Sequence, residues 1–258
     1  MSIVTFTTDF GFSDGYVGAM KGVVLSLSPT ATLVDITHGI GAQDVVGGAM
    51  ALAQAAPLFP PGTIHVAVVD PGVGGQRADV AVEAGGFFFV GPDNGLLSLA
   101  APPPRRVHRI EAASFRREPI SPTFHGRDVF APTAGRLAAG APVSSAGPPL
   151  PALVELEPPL VRRLGDRVEG TVTHVDSFGN LITSLAAAVV PPEARVELLG
   201  SEGTFKPAFG TTFADVAPGS LVAYIGSSGY LEIGLRDGAA AELTGAARGS
   251  TVRLRRGA

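Results

Sequence analysis

The chain contains no cysteine, which removes disulfide staples, thiolate nucleophiles and thiolate metal ligands together. Charge is also scarce: 16% of the 258 residues are Asp, Glu, Lys or Arg, and Lys21 and Lys206 are the only lysines. With 45% hydrophobic residues, this composition excludes a disordered chain and is enough for one large or two smaller domains with a preformed pocket. A formal net charge of -4 supplies no field for a phosphate backbone. The one arginine-rich stretch, Arg105, Arg106, Arg109, Arg116 and Arg117, is broken by Glu111 and Glu118 and reads as a solvated surface, so no nucleic-acid partner is expected. No apolar run approaches the ~20 residues of a membrane helix. The opening MSIVTFTTDF also lacks a basic segment followed by an apolar one, so the expectation is a cytoplasmic protein with no membrane partner.

What is present has an α/β rhythm. Ile3 to Thr8, Leu33 to Ile36 and Ile64 to Val69 read as buried strands, with crossover helices at Gly15 to Leu27 and Val45 to Phe59 between them. Ser13 is the expected N-cap of the first helix and Asp44 marks the start of the second. Further strands are expected at Val80 to Glu83, Phe87 to Val90 and Val107 to Ile110, and a helix at Val129 to Ala139. The pattern predicts an α/β N-terminal domain with a mostly parallel sheet over 1–150 and a Pro-rich linker over 151–166. From 167–258 only short strand candidates follow, at Thr171 to Val175, Leu181 to Ser184, Arg195 to Leu199, Ser220 to Ile225, Tyr230 to Leu235 and Thr251 to Leu254. None is joined by a convincing helix, which predicts a smaller all-β, barrel-like C-terminal domain. A single α+β domain with a Pro-rich surface loop is the competing organisation.

Four segments carry residues suited to chemistry. Asp9, in TTDFG, sits where the first strand ends, a place where carboxylates accept hydrogen bonds from ribose hydroxyls, although an Asp capping the next turn fits equally. In VDPGVGGQR a strand runs into a glycine-rich loop bracketed by Asp70 and Arg77, which either serve a ligand or pair with each other across the loop. His125, in FHGRD, lies in a loop at a helix start, where a histidine can serve a proton-transfer role, and a structural hydrogen-bonding role is the alternative. In the second half, DSFGN at Asp176 to Asn180 and SSGYLE at Ser227 to Glu232 combine turn formers, an aromatic ring and hydrogen-bonding side chains, as an adenine site requires. Two β-turns with core aromatics account for them otherwise. The remaining histidines, His38, His65, His108 and His174, have no metal-ligand spacing, and neither a metal nor a cofactor is implied.

Taken in order, TTDFG, DGYVGAMKGV, VDITH, QAAPLFPPGTIHVAVVDPGVGG, FVGPDNGLLS, FHGRDVFAP, DSFGNLITS and SSGYLEI closely resemble one family over nearly the whole chain. It is the S-adenosyl-L-methionine hydroxide adenosyltransferases, a group related to the fluorinating and chlorinating enzymes that act on the same substrate. The resemblance implies hydrolysis of S-adenosyl-L-methionine to adenosine and L-methionine by water or hydroxide attacking the ribose 5′ carbon. It also implies a homotrimer with sites between the N-terminal domain of one subunit and the C-terminal domain of its neighbour. Residue by residue, the water-handling trio falls on Asp70, Arg77 and His125, and the ribose ligand on Asp9. Phe178 and Asn180 fall at the adenine and Asp176 nearer the methionine amino group; Ser228, Tyr230 and Glu232 complete the ligand contacts. Retention of the polar trio argues for water over halide, since water must be oriented and deprotonated. A chloride-using halogenase, a nucleoside hydrolase and a non-catalytic adenosine or S-adenosyl-L-methionine binder are the alternatives.

Overall fold

The structure is a computed structural model that describes residues 2–157, 161–191 and 194–255; residues 158–160 of the predicted linker lie outside it. The chain forms two compact units, Met1–Leu156 and Glu157–Ala258. The segment 151–156 belongs to the first unit, where Leu153 is buried and the Leu156 N–H donates to Ser98 Oγ at 3.1 Å.

In the first unit the order is β1 (Ile3–Thr8), α1 (Tyr16–Leu27), β2 (Thr32–Thr37), α2 (Val45–Ala55), β3 (Ile64–Val68), β4 (Asp79–Ala84), β5 (Phe87–Pro92), β6 (Arg105–Arg109), α3 (Ala131–Ala138) and β7 (Pro149–Leu150). The sheet runs β2-β1-β3-β5-β4-β6-β7. Strands β2, β1, β3 and β5 pair in parallel, whereas β4, β6 and β7 add antiparallel ladders, so the expected mostly parallel sheet is mixed. The reason is local. Only Gly85 and Gly86 separate β4 from β5, and their φ values of 59° and 85° are those of a two-residue hairpin turn, which forces reversal. Successive residues along β3 and just past it explain the unbroken apolar run: Val66 and Val68 join one core with Met20, Val24 and Phe130, while Ala67 and Val69 join the other with Leu52, Phe89 and Leu96.

Asp44 caps α2 as predicted, accepting from Gly47 N at 2.9 Å. Ser13 does not cap α1: the N-cap is Gly15, and no side chain bonds the helix start. The helix predicted from Val129 begins earlier, as a π-helical turn over Gly126–Phe130 that runs into α3. Pro132 has no N–H to donate to Asp128 O four residues back, and that carbonyl accepts from Arg117 N at 2.7 Å instead. The arginine stretch is only partly solvated, because the Arg105 side chain is largely covered and bonds Ala101 O and Glu155.

The second unit contains β8 (Arg162–Leu164), β9 (Arg167–Val175), β10 (Leu181–Ala186), β11 (Arg195–Gly200), β12 (Gly203–Phe205), β13 (Ala208–Phe209), β14 (Leu221–Ile225), β15 (Tyr230–Leu235), a short helix α4 (Ala240–Thr244) and β16 (Thr251–Arg255). Its sheet runs β12-β11-β16-β9-β10-β15-β14-β13, with β8 on β9, and all pairs are antiparallel except β13 with β14. Long β9 serves both halves, pairing β16 through residues 167–171 and β10 through 172–175. At Gly170 an added Cβ would lie 2.6 Å from Ser184 Oγ, so glycine permits the close bend there. The result is a curled half-barrel. The expected all-β domain thus also holds a short α-helix, which Ala241 N anchors to Gly179 O at 2.9 Å.

Candidate active site

The parallel strands β1 and β3 end side by side, with Thr8 opposite Val68, so Asp9 and Asp70 leave the same edge of the sheet. The hairpin reversal brings a third carboxylate there: Asp79, the first residue of β4, pairs with Pro92 at the end of β5. Asn94 steadies this edge by donating from Nδ2 to Val69 O at 2.9 Å, which gives the PDNGLL segment its structural task.

Asp70, Arg77 and His125 come together. Arg77 Nε donates to Asp70 Oδ1 at 2.9 Å and Nη2 donates to Asp70 Oδ2, a bidentate pair. Arg77 Nη1 donates to Asp79 Oδ1, Nη2 lies 3.1 Å from His125 Nδ1, and that nitrogen lies 3.1 Å from Asp79 Oδ1. The guanidinium also stands 5.6 Å from the centre of the Phe130 ring. These side chains are mostly covered, at 5% exposure for Asp70, 11% for Arg77, 18% for Asp79 and 13% for His125. Burial alone would lower the Arg77 pKa, but the bonds to Asp70 and the charges of Asp79 and Asp70 hold it above its ordinary value. Asp70 and Arg77 therefore do pair across their loop, and the pairing extends to two further groups. Asp79 was not legible as a site residue. It starts an ordinary strand two residues after Arg77, and only the hairpin turn that reverses β4 signals its return to this edge.

Two devices hold the loops in register. At Gly74, with φ 74°, an added Cβ would lie 2.3 Å from Pro122 O, so only glycine lets the loop carrying Arg77 lie against the segment leading to His125. Buried Asp128 accepts from Arg127 Nε at 2.8 Å, Arg127 Nη2 at 2.7 Å and Ser121 N at 2.9 Å, fixing the same segment from the other side. Burial would raise this carboxyl, but Arg127, the Ser121 N–H and the charge of Arg117 together hold it below the usual carboxylate range.

Asp9 makes no hydrogen bond to the trio. Its Oδ2 accepts from Gln43 N at 2.8 Å, beside a framework in which buried His38 contacts Thr8 Oγ1 through Nδ1 at 2.8 Å and Thr8 Oγ1 accepts from Phe10 N at 3.1 Å.

In the second unit Asp176 closes its own turn. Oδ1 accepts from Phe178 N at 2.9 Å and Asn180 N at 2.8 Å, and Oδ2 accepts from Asn180 Nδ2 at 2.8 Å, while Gly179 takes φ 80°. The turn leaves Phe178 77% exposed, so it is not the core aromatic of the competing reading. Asp176, Phe178 and Asn180 line a cavity of about 730 Å³ together with Phe213, Arg236 and Gly238, which sequence reasoning missed. These three lie in unremarkable turn sequence, and only the curl of the sheet brings them to DSFGN. Ser228, Tyr230 and Glu232 are not part of that lining. Glu232 instead sits with Tyr224 and Ser228: burial raises its carboxyl above the ordinary value, Tyr224 and Ser228 lower it, and the charge of Asp176 raises it further. Burial and Glu232 likewise push the Tyr224 hydroxyl up. Tyr230 closes the adjoining turn by accepting Gly226 N–H at its carbonyl, 2.9 Å away. Among the described residues no three His, Cys, Asp or Glu side chains are grouped to hold a metal ion, and no helix is long and apolar enough to cross a membrane.

Residues 4–147 match the family model of the SAM hydroxide adenosyltransferase N-terminal domain, and residues 170–253 match that of the C-terminal domain. The chain is 41% identical over 259 residues to (R)-S-adenosyl-L-methionine hydrolase from Salinispora tropica, covering 98% of each chain. Fluorinase from Actinoplanes sp. is more distant, at 29% identity over 268 residues and 90% of each chain. The fold matches the crystal structure of an uncharacterized conserved protein from Thermotoga maritima with a TM-score of 0.89 and 30% identity, over 99% of this chain and 100% of that one.

Proposed function

This chain belongs to the SAM hydroxide adenosyltransferase family, and from that premise we propose that it hydrolyses S-adenosyl-L-methionine to adenosine and L-methionine. The nearer likeness to a hydrolase than to a fluorinase supports water as the nucleophile. The observation that carries the mechanism is the covered cluster of Asp70, Arg77 and His125.

The water oxygen bonds to the ribose 5′ carbon as the carbon–sulfur bond breaks. The bonding pair leaves on sulfur, so methionine departs as a neutral thioether and no acid is needed at the leaving group. The water proton must go to a base. Both Asp70 oxygens accept from Arg77, which leaves His125 as the base and Asp70 as the group that aims Arg77. Arg77, fixed as a cation, stabilises negative charge growing on the water oxygen. Attraction between a hydroxide-like oxygen and the sulfonium strengthens where bulk water is excluded.

The other assignments divide the substrate. Asp9 takes the ribose hydroxyls, exposed Phe178 offers its ring face to adenine and Asn180 reads the adenine edge. Burial and the nearby charge of Asp176 oppose ionisation of Glu232, which a cationic ammonium group relieves; Ser228 and Tyr230 border it. A homotrimer and a cytoplasmic location belong to the same reading and rest on the family resemblance and the sequence alone.

Incubation of the purified protein with S-adenosyl-L-methionine, with and without chloride, followed by mass spectrometry, tests the proposal. Equal amounts of adenosine and methionine are expected in both. A 5′-chloro nucleoside would move the chain to the halogenases, free adenine to the nucleoside hydrolases, and intact bound substrate to a binding role.

A further inference from the structure

We infer that Asp79 is a positioning residue for His125: its carboxylate takes the Nδ1–H, and Nε2 is thereby left as the basic nitrogen of the imidazole. The inference deepens the hydrolytic reading and rests on it for the role of His125, but the arrangement itself is argued from geometry.

His125 Nδ1 has two neighbours of opposite demand, each 3.1 Å away. Arg77 Nη2 can only donate, and Asp79 Oδ1 can only accept. If Nδ1 carries no proton, it accepts from Arg77, but it then turns a lone pair toward the Asp79 carboxylate. In that tautomer Nε2 carries the proton and cannot act as a base. If Nδ1 carries the proton, it donates to Asp79 and Nε2 is free. Among the described residues, no protein group is hydrogen-bonded to Nε2.

The charged state after proton transfer decides between them. Among the described residues, the charged groups that contact His125 are Arg77 on the glycine loop and Asp79 at the start of β4, with Asp70, just past β3, joined to them through Arg77; Phe130, on the π-helical turn, presents only a ring, with centroids 6.4 Å apart. With a neutral imidazole these groups sum to one negative charge, and with an imidazolium to zero. An imidazolium must donate from both nitrogens, and only Asp79 can receive the one at Nδ1. Without that carboxylate, a second cation would stand next to Arg77 with Asp70 as the sole counter-charge, and Asp70 already accepts two bonds from Arg77. Asp79 thus orients the base before the proton moves and stabilises it afterwards, the division of labour of the acid in a Ser-His-Asp triad.

Asp79→Asn separates charge from shape, because the amide oxygen can still accept from Arg77 and His125. Two readouts decide the matter. Long-range nitrogen–proton NMR of the ligand-free protein, with the His125 signal assigned by its loss in His125→Asn, reports the tautomer. The wild type is expected to hold Nδ1–H, and Asp79→Asn to shift population toward Nε2–H. In steady-state kinetics Asp79→Asn is expected to lower kcat about 10- to 100-fold with KM changed less than about 3-fold. Since the active base is neutral, losing the carboxylate moves the acid limb of the kcat profile to lower pH, and Asp79→Glu restores part of the rate and the limb. A wild-type Nε2–H tautomer, or an acid limb that stays in place in Asp79→Asn, would overturn the inference. If the wild type forms no adenosine, the hydrolytic reading fails while the tautomer still decides the role of Asp79. Should the Asn variant not fold, the wild-type tautomer alone decides between the two arrangements.

Discussion

The two units solve the placement of carboxylates in opposite ways. In the second, the Asp176 carboxylate is bonded by the backbone and side chain of its own five-residue turn, so sequence alone specifies the local shape. In the first, Asp70, Arg77, Asp79 and His125 come from the segment just past β3, a glycine loop, the start of β4 and the N-cap of a π-helical turn. Each is placed by a different element, and their charges satisfy one another instead of the backbone. A self-contained turn suits recognition of a rigid ring, which needs a face and an edge. A cross-element cluster suits chemistry, because a largely covered guanidinium between two acids is preorganised before substrate arrives.

That contrast predicts unequal consequences. Breaking the cross-element cluster should hurt most: Arg77→Ala is expected to reduce kcat about 1000-fold, or ~4 kcal/mol, with a far smaller change in KM, as steady-state kinetics would show. A loss confined to KM would remove Arg77 from the chemistry. The frame behind His125 comes next. Asp128→Asn leaves Arg127 and the Ser121 N–H without their charged partner and should cost roughly 2 kcal/mol in urea unfolding at neutral pH. Because the folded pKa of Asp128 is lowered, its contribution is complete above about pH 4, the range of free Asp, and fades as pH falls through the folded value. The gap between variant and wild type should therefore close in acid; a gap that persists there would assign the loss to packing. The smallest effect sharpens the other half of the comparison. Phe178→Ala should raise KM about 10-fold, with kcat nearly unchanged and the thermal midpoint within about 2 °C, since the ring is 77% exposed. A large fall in stability would return Phe178 to a structural role.

Much of this was legible because it is local. The β1 strand begins and ends at the predicted residues, and the Asp44 cap follows from propensity and hydrogen-bonding chemistry acting over a few positions. The Asp70–Arg77 pair was legible for the same reason, as both ends of one glycine loop. Orientation was harder. The Gly85-Gly86 turn is what makes the sheet mixed, and a rhythm of strands and helices carries no information about such a reversal. The π-helical turn was not foreseeable from periodicity, since it arises where Pro132 releases a carbonyl that a distant arginine backbone then uses. Asp79 was missed because its significance comes only from that hairpin reversal. Phe213 and Arg236 were missed because the curl of the second sheet, and no spacing along the chain, sets them beside Asn180.

Whether the first unit activates water for attack on carbon is decided by hydrolysis in oxygen-18 water, with the products read by mass spectrometry. One labelled oxygen is expected in adenosine, at the 5′ position, and none in methionine. Label absent from that oxygen while adenosine forms would contradict displacement at the 5′ carbon and, with it, the roles given to Asp70, Arg77 and His125.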